Sequence, residues 1–181
     1  MLVAALAAAP ARAGDTRVLA IDGRSGAGKS TLAGAVAAAL GAPLVSLEDL
    51  YGGWDGLEHG IALAASAVLG PLAGGRAAAV PRYDWREQRW AEPWPLEPPA
   101  ALVLEGVGAG ARELARYTSV LVWLELAEGA RRERALHNRG DRELYAPHWE
   151  RWARQEEAYI ERERPRERAD VVLALESLTP G

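Results

Sequence analysis

The sequence predicts an α/β domain of three layers: a mostly five-stranded parallel sheet with helices on both faces. Three observations predict it. Short apolar runs rich in Val, Leu and Ala alternate with helical segments along the chain. The first of these runs ends in an acid and a glycine-rich loop, which in turn opens a helix. The chain has 181 residues, 49% of them hydrophobic, enough for one domain spanning 1–181 and too few for a second of similar size.

The elements follow in order. Met1 to Ala13 is apolar and alanine-rich, with no positive charge ahead of its apolar run. We read it as a short helix packed on the domain rather than a secretory leader. It is too short to span a membrane, and no later segment is apolar for long enough. We therefore expect a cytoplasmic protein with no membrane partner. Arg17 to Asp22 reads as a buried parallel strand. Leu32, Val36 and Leu40 then recur at helical spacing, and Gly41 sits where a helix C-cap belongs. Pro43 precedes a second strand, Leu44 to Leu47. Gly60 to Leu69 reads as a helix and Ala77 to Val80 as a short strand. The following stretch to Pro99, rich in Trp and Pro, reads as irregular. Ala101 to Leu104 and Val120 to Leu126 are buried strands, with a short helix at Arg112 to Arg116 between them. Glu128 to Arg168 is dense in Arg and Glu. Pro147 is placed to start a helix, on which Trp149, Trp152, Ala153, Tyr159 and Ile160 form an apolar stripe. Asp170 to Leu175 is the last strand.

Gly23-Arg24-Ser25-Gly26-Ala27-Gly28-Lys29-Ser30 matches G-x-x-x-x-G-K-[ST] between a predicted strand and a predicted helix. That context is the one in which the motif binds phosphate. Glycines let backbone N–H groups turn inward around phosphate oxygens, and the helix N-terminus adds the positive end of its dipole. Lys29 then reaches the β- and γ-phosphates, and Ser30 offers a hydroxyl to Mg²⁺. Thr31 follows in the first turn.

Composition narrows the class. The 21 basic residues against 25 acidic leave a net charge of −4, so no basic footprint for nucleic acid exists. Cys is absent, which excludes disulfides, thiolate metal sites and Cys nucleophiles. No His pair has metal-ligand spacing, so the only metal implied is Mg²⁺ carried by a nucleotide. Lys29 is the only lysine, and every other basic residue is arginine. A lysine kept against such a bias marks a position where charge alone does not suffice. It also removes a GTPase, whose N-K-x-D motif needs a second lysine. Large mechanical ATPases need a longer chain. The strand ending at Glu105 has no Asp-Glu pair of the hydrolase kind. A small kinase remains, passing a γ-phosphoryl group to a small acceptor.

Ile21 to Thr31, read with three further stretches, resembles the uridine kinase family of phosphate-loop kinases, which is similar to phosphoribulokinases and pantothenate kinases. The three are Asp49-Leu50-Tyr51 after the second strand, Pro81-Arg82-Tyr83-Asp84-Trp85, and Leu104-Glu105-Gly106. The family usually has a small residue and Phe between its Asp and Tyr, where this chain has Leu50 alone. The resemblance implies the P-loop NTPase fold with an Arg-rich lid, here near 131–146. It also implies ATP and Mg²⁺ as cofactors. Gly23, Ser25, Gly26, Ala27, Gly28, Lys29, Ser30 and Thr31 would hold the triphosphate. Asp49 would be the base that orients the acceptor hydroxyl. Ser30, Glu105 and Asp49 would place the metal. Tyr51, Trp54, Tyr83 and Asp84 would line the acceptor site. Arg131 and Arg134 would reach the nucleotide and Arg139 the transferred group, with Gly140 as a hinge. Most other arginines of this stretch read as a solvated face. The acceptor implied is a small hydroxyl compound, a nucleoside first, with pantothenate-like and sugar-like compounds open. A monophosphate acceptor would call on Arg82, Arg86 and Arg89. A regulatory ATP-binding switch is the alternative from another class, and a homodimer stays open.

Overall fold

A computed structural model describes residues 1–137 and 146–175 of the chain, with side chains for 1–134 and 146–175. In chain order the strands are β1 (Arg17–Asp22), β2 (Leu44–Ser46), β3 (Ala78–Asp84), β4 (Arg89–Leu96), β5 (Ala101–Glu105), β6 (Val120–Glu125) and β7 (Val171–Ala174). Five of them form one sheet in the order β2-β5-β1-β6-β7, and every neighbouring pair is parallel. β1 is thus the central strand, flanked by the strands that carry Glu105 and Trp123. Its last five residues are buried, as a strand covered on both faces requires.

Helices α1 (Leu2–Ala8) and α2 (Lys29–Leu40) cover one face. There Leu2 and Leu6 pack with Leu19, Ile21, Val36, Val103 and Val122. The expected short N-terminal helix is therefore docked on the domain. α2 ends at Gly41, whose φ of 60° is the left-handed cap conformation that an L side chain resists. The other face carries α3 (Leu57–Leu63), a wider π-type stretch (Ala64–Leu69), α4 (Gly70–Ala73), α5 (Arg112–Ala115), and the long α7 (Trp149–Glu163). Val18, Ala20, Leu102, Leu104, Leu57, Leu69, Leu114, Trp152 and Tyr159 share that core. α6 (Glu128–His137) follows β6, and α8 (Pro165–Arg168) leads into β7.

Two expectations are corrected. The helix expected at Gly60 to Leu69 starts at Leu57 and, with its π-type stretch, runs on to Ala73. The stretch expected to be irregular is a strand: β3 and β4 form an antiparallel hairpin apart from the main sheet. Pro93 and Pro95 obscured it, because proline is allowed only where a strand's N–H side is unpaired, and a two-stranded hairpin has two such edges.

The docking of α1 rests on Leu6, which is 1% exposed. Leu6→Ala is expected to lower stability by about 2–4 kcal/mol, the range for a buried leucine truncated to leave a cavity. Urea denaturation followed by circular dichroism measures it.

Candidate functional site

The chemistry gathers at the C-terminal edge of the sheet, where loops leave β1, β2 and β5. The loop after β1 turns on Gly23, Gly26 and Gly28, with φ of 147°, 80° and 97°. At Gly26 the requirement is steric as well. A Cβ there would lie 2.2 Å from the Arg131 carbonyl oxygen. Gly28 caps α2, and Lys29 begins it. Lys29 is only 8% exposed, and its Nζ donates to the Arg24 carbonyl at 3.2 Å. Ala27 is fully buried beneath the loop.

Register brings the acidic side to this loop. Ile21 of β1 and Ser46 of β2 both pair with Glu105 of β5. The Glu105 carboxylate accepts from the Ser46 hydroxyl at 2.7 Å and the Ser30 hydroxyl at 3.3 Å. Glu105 is 3% exposed, and burial raises its pKa above the ordinary 4.5, against the pull of Lys29 and the two hydroxyls. Ser30, Glu105 and Lys29 are therefore neighbours. Asp49 lies in a 3₁₀ turn, Leu47–Leu50, directly after β2. It is half-buried. Burial raises its pKa, Arg82 opposes the rise and Glu48 adds to it. A carboxylate pushed towards neutrality at a strand end suits a proton acceptor.

The aromatic residues divide. Trp54 packs on Trp85 with ring centroids 4.7 Å apart, and Tyr83 packs edge-on against Trp85 and Trp90 at 5.3 Å. The Trp85 indole donates to the Glu48 carbonyl at 3.1 Å, which holds the hairpin against the turn carrying Asp49. Trp54 and Tyr83 thus belong to the aromatic cluster that this bond ties to the turn. His148 stacks on Trp54 with ring centroids 4.5 Å apart. Tyr51 is different. It is 3% exposed, its hydroxyl donates to the Val107 carbonyl at 2.8 Å, and its ring packs on Trp152 at 4.7 Å. That places it in the core behind the site rather than on the acceptor wall. Asp84 is also reassigned. Its carboxylate accepts the Arg86 and Glu87 N–H groups at 3.0 Å, so it caps the turn of the hairpin.

The arginines expected in the lid divide as well. Arg131 is 5% exposed, and its guanidinium donates to the Ser25 carbonyl at 3.2 Å. It is held behind the loop rather than free to reach a nucleotide. The guanidinium of Arg134 lies beside Gly28, 3.8 Å from where a Cβ would be. Arg139, Gly140 and the rest of 138–145 lie outside the described residues. A cavity of about 420 Å³ borders the loop, lined by Arg24, Trp123, Leu126, Arg131 and Leu175 among others. No helix among the described residues is long and apolar enough to cross a membrane.

Three functional positions were missed in the sequence. Asp22 is fully buried, and its carboxylate accepts from Gly23 N at 2.7 Å, Gly108 N at 3.2 Å, Gly110 N at 2.9 Å and the Tyr159 hydroxyl at 2.6 Å. Glu156 is 1% exposed and accepts from Ser25 N at 2.8 Å and from Arg24 Nε at 3.1 Å. The Trp152 indole donates to Ser25 Oγ at 3.1 Å. The signal was the spacing. Trp152, Glu156 and Tyr159 fall at i, i+4 and i+7, which puts a glutamate on the apolar stripe of α7.

The strand order, the loop after the central strand and the buried lysine at the start of α2 define a phosphate-loop α/β fold. Known structures share it. A protein from Bacillus stearothermophilus named as a possible uridine kinase superposes with a TM-score of 0.70 at 20% identity, covering 95% of this chain and 95% of its own. A protein from Silicibacter sp. TM1040, named for a fructose transport system kinase, gives 0.62 at 20% identity, over 95% of this chain and 97% of its own. No family model matches the chain, and no curated protein does. The likeness is one of fold.

A raised carboxylate pKa opposes folding once the group is ionised. The native state holds its proton to higher pH than the unfolded chain, so stability falls as pH rises through the native pKa. Glu105, Asp22 and Asp49 all have this sign. Unliganded protein is therefore expected to gain stability as pH falls from neutrality through those native values, towards 4.5 in the case of Glu105. Glu105→Gln removes one such group. It is expected to raise Tm near neutral pH and to flatten the pH dependence, as differential scanning fluorimetry across pH measures.

Proposed function

We propose that this chain is an ATP-dependent phosphotransferase that moves the γ-phosphoryl group of ATP to a hydroxyl of a small acceptor. One observation carries the reading: the Glu105 carboxylate joins Ser30, on the phosphate loop, to Ser46, three residues before Asp49. That joint links the loop to the turn of half-buried Asp49 at one edge of the sheet, which supports reading the loop as a triphosphate cradle and Asp49 as a proton acceptor. The kinase names of the two similar structures agree with it.

The residues fit the groups the reading requires. At Gly28 a Cβ would meet only the side-chain ends of Leu175 and Arg134, at 3.7 and 3.8 Å, so phosphate oxygens have room to approach the backbone N–H groups there. Lys29 supplies the ammonium at the base of that cradle, and Arg134 a second cation at its rim. Ser30 and Glu105 offer the hard oxygen ligands Mg²⁺ takes, and the ion when bound would neutralise charge on the β- and γ-phosphates. Asp49 accepts or orients the proton of the acceptor hydroxyl, so that its oxygen attacks phosphorus as the bond to the β-phosphate oxygen breaks. Trp54 and Tyr83 lie in the aromatic cluster tied to the turn of Asp49, and apolar rings there suit the ring of a nucleoside. A second reading keeps the reaction and changes the acceptor. Arg82 is exposed and acts on Asp49 through its charge, which favours an acceptor that carries an anion.

ADP release on a panel of nucleosides, nucleoside monophosphates, sugars and pantothenate separates these acceptors. Lys29→Ala is expected to lower kcat/KM by roughly 10²–10³, as for removal of one transition-state cation or donor. Asp49→Asn is expected to lower kcat by roughly 10²–10⁴, the span of general base catalysis, with the affinity for ATP retained. Turnover near wild type in Asp49→Asn would remove the base assignment. Tight ATP binding with no stimulation by any acceptor would favour a nucleotide-binding switch.

A further inference from the structure

Ser25 precedes the three residues whose backbone lines the phosphate cradle, and each of its polar atoms has a protein partner. Its N–H donates to Glu156 at 2.8 Å, its Oγ accepts from the Trp152 indole at 3.1 Å, and its carbonyl accepts from Arg131 at 3.2 Å. Arg24, one residue earlier, is held as well: its guanidinium donates to Glu156 at 3.1 Å and to Glu157 at 3.3 Å, and its carbonyl accepts from Lys29 Nζ at 3.2 Å. Three of these holds come from a single turn of α7, where Trp152 and Glu156 are themselves hydrogen bonded at 3.1 Å. Both are buried, at 4% and 1% exposure.

A buried carboxylate is a costly way to attach a helix, since packed apolar side chains of like volume would serve as well or better. Here the carboxylate is aimed at the loop rather than at the framework. A peptide gripped at N, O and Oγ leaves the following backbone little freedom, and the Ala27 N–H closes the turn on the Arg24 carbonyl at 3.1 Å, so the amides of Gly26 and Gly28 are set before any ligand arrives. We infer that Trp152 and Glu156 are positioning residues that hold Ser25 and thereby pre-form the phosphate cradle. The inference rests on the reading that this loop binds a nucleoside triphosphate.

The test measures binding of Mg²⁺ with a non-hydrolysable ATP analogue, AMP-PNP, by isothermal titration calorimetry, alongside Tm. Glu156→Leu removes the acceptor for Ser25 at similar volume and is expected to weaken binding roughly tenfold, one hydrogen bond to a charged group. Glu156→Gln keeps a carbonyl oxygen for the Ser25 N–H and is expected to stay within about threefold of wild type. Trp152→Phe keeps a ring against Tyr51 and loses the indole donor. It is expected to weaken binding about threefold, and it tests the inference should Glu156→Leu not fold. Folded Leu and Phe variants that bind AMP-PNP as tightly as wild type, with only Tm lowered, would overturn the inference. Wild-type protein that does not bind AMP-PNP would instead overturn the phosphate-loop reading.

Discussion

The buried carboxylate of Asp22 is the constraint around which the rest of the site is arranged. It ends the central strand, where burial alone would drive it to take up a proton. Four donors offset that cost: the N–H groups of Gly23, Gly108 and Gly110, and the hydroxyl of Tyr159. The four donors come from three parts of the site. Gly23 opens the phosphate loop, Gly108 and Gly110 follow the strand bearing Glu105, and Tyr159 comes from α7. One acid therefore fixes the relative placement of the loop, the edge that presents Glu105, and the helix that grips Ser25. Burial and the Asp22 carboxylate in turn hold the Tyr159 hydroxyl protonated far above neutral pH, so it stays a donor.

The glycines of the loop have a second duty that phosphate binding alone does not explain. A Cβ at Gly23 would meet the Leu124 carbonyl oxygen at 2.3 Å, and one at Gly26 would meet that of Arg131 at 2.2 Å. The end of β6 and the start of α6 thus lie directly against the back of the loop. Backbone packs on backbone there, which only glycine allows. The result is that α6, the helix leading into the arginine-rich stretch, is seated on the loop it is placed to serve. Arg131 completes the seat with its bond to Ser25, and Arg134, almost one turn further on, comes out beside Gly28.

The main sheet was legible because buried parallel strands read as unbroken apolar runs, and those of β1, β5 and β6 do. The loop was legible because its spacing and its setting between strand and helix agree. Asp49, Glu105, Ser30 and Lys29 followed from strand-end placement and from the family resemblance. What failed has physical causes. The β3–β4 hairpin hid behind Pro93 and Pro95. For Tyr51 and Asp84 the sequence shows which residues adjoin a motif, not which way they point. Tyr51 turns into the core, and Asp84 turns back on its own hairpin. Glu156 was lost among many glutamates, because its burial depends on what lies opposite α7, and that is set by long-range topology.

The single lysine can be judged against these contacts. Lys29 is almost fully buried, its Nζ touches one carbonyl, and its charge acts on Glu105 and Asp22. An arginine there would carry five N–H donors in a rigid plane into a space shaped by a tight turn. Some of those donors would be left without partners, or the glycine turn would have to open. Elsewhere on this chain arginine does well because its sites are of another kind. Arg162 spans Glu58 and Glu163 at the surface, and Arg24 spans Glu156 and Glu157 at the edge of the loop. Those places need charge, reach and a fork. The loop needs a compact cation with freely turning donors, which is why a chain so strongly biased towards arginine keeps a lysine there.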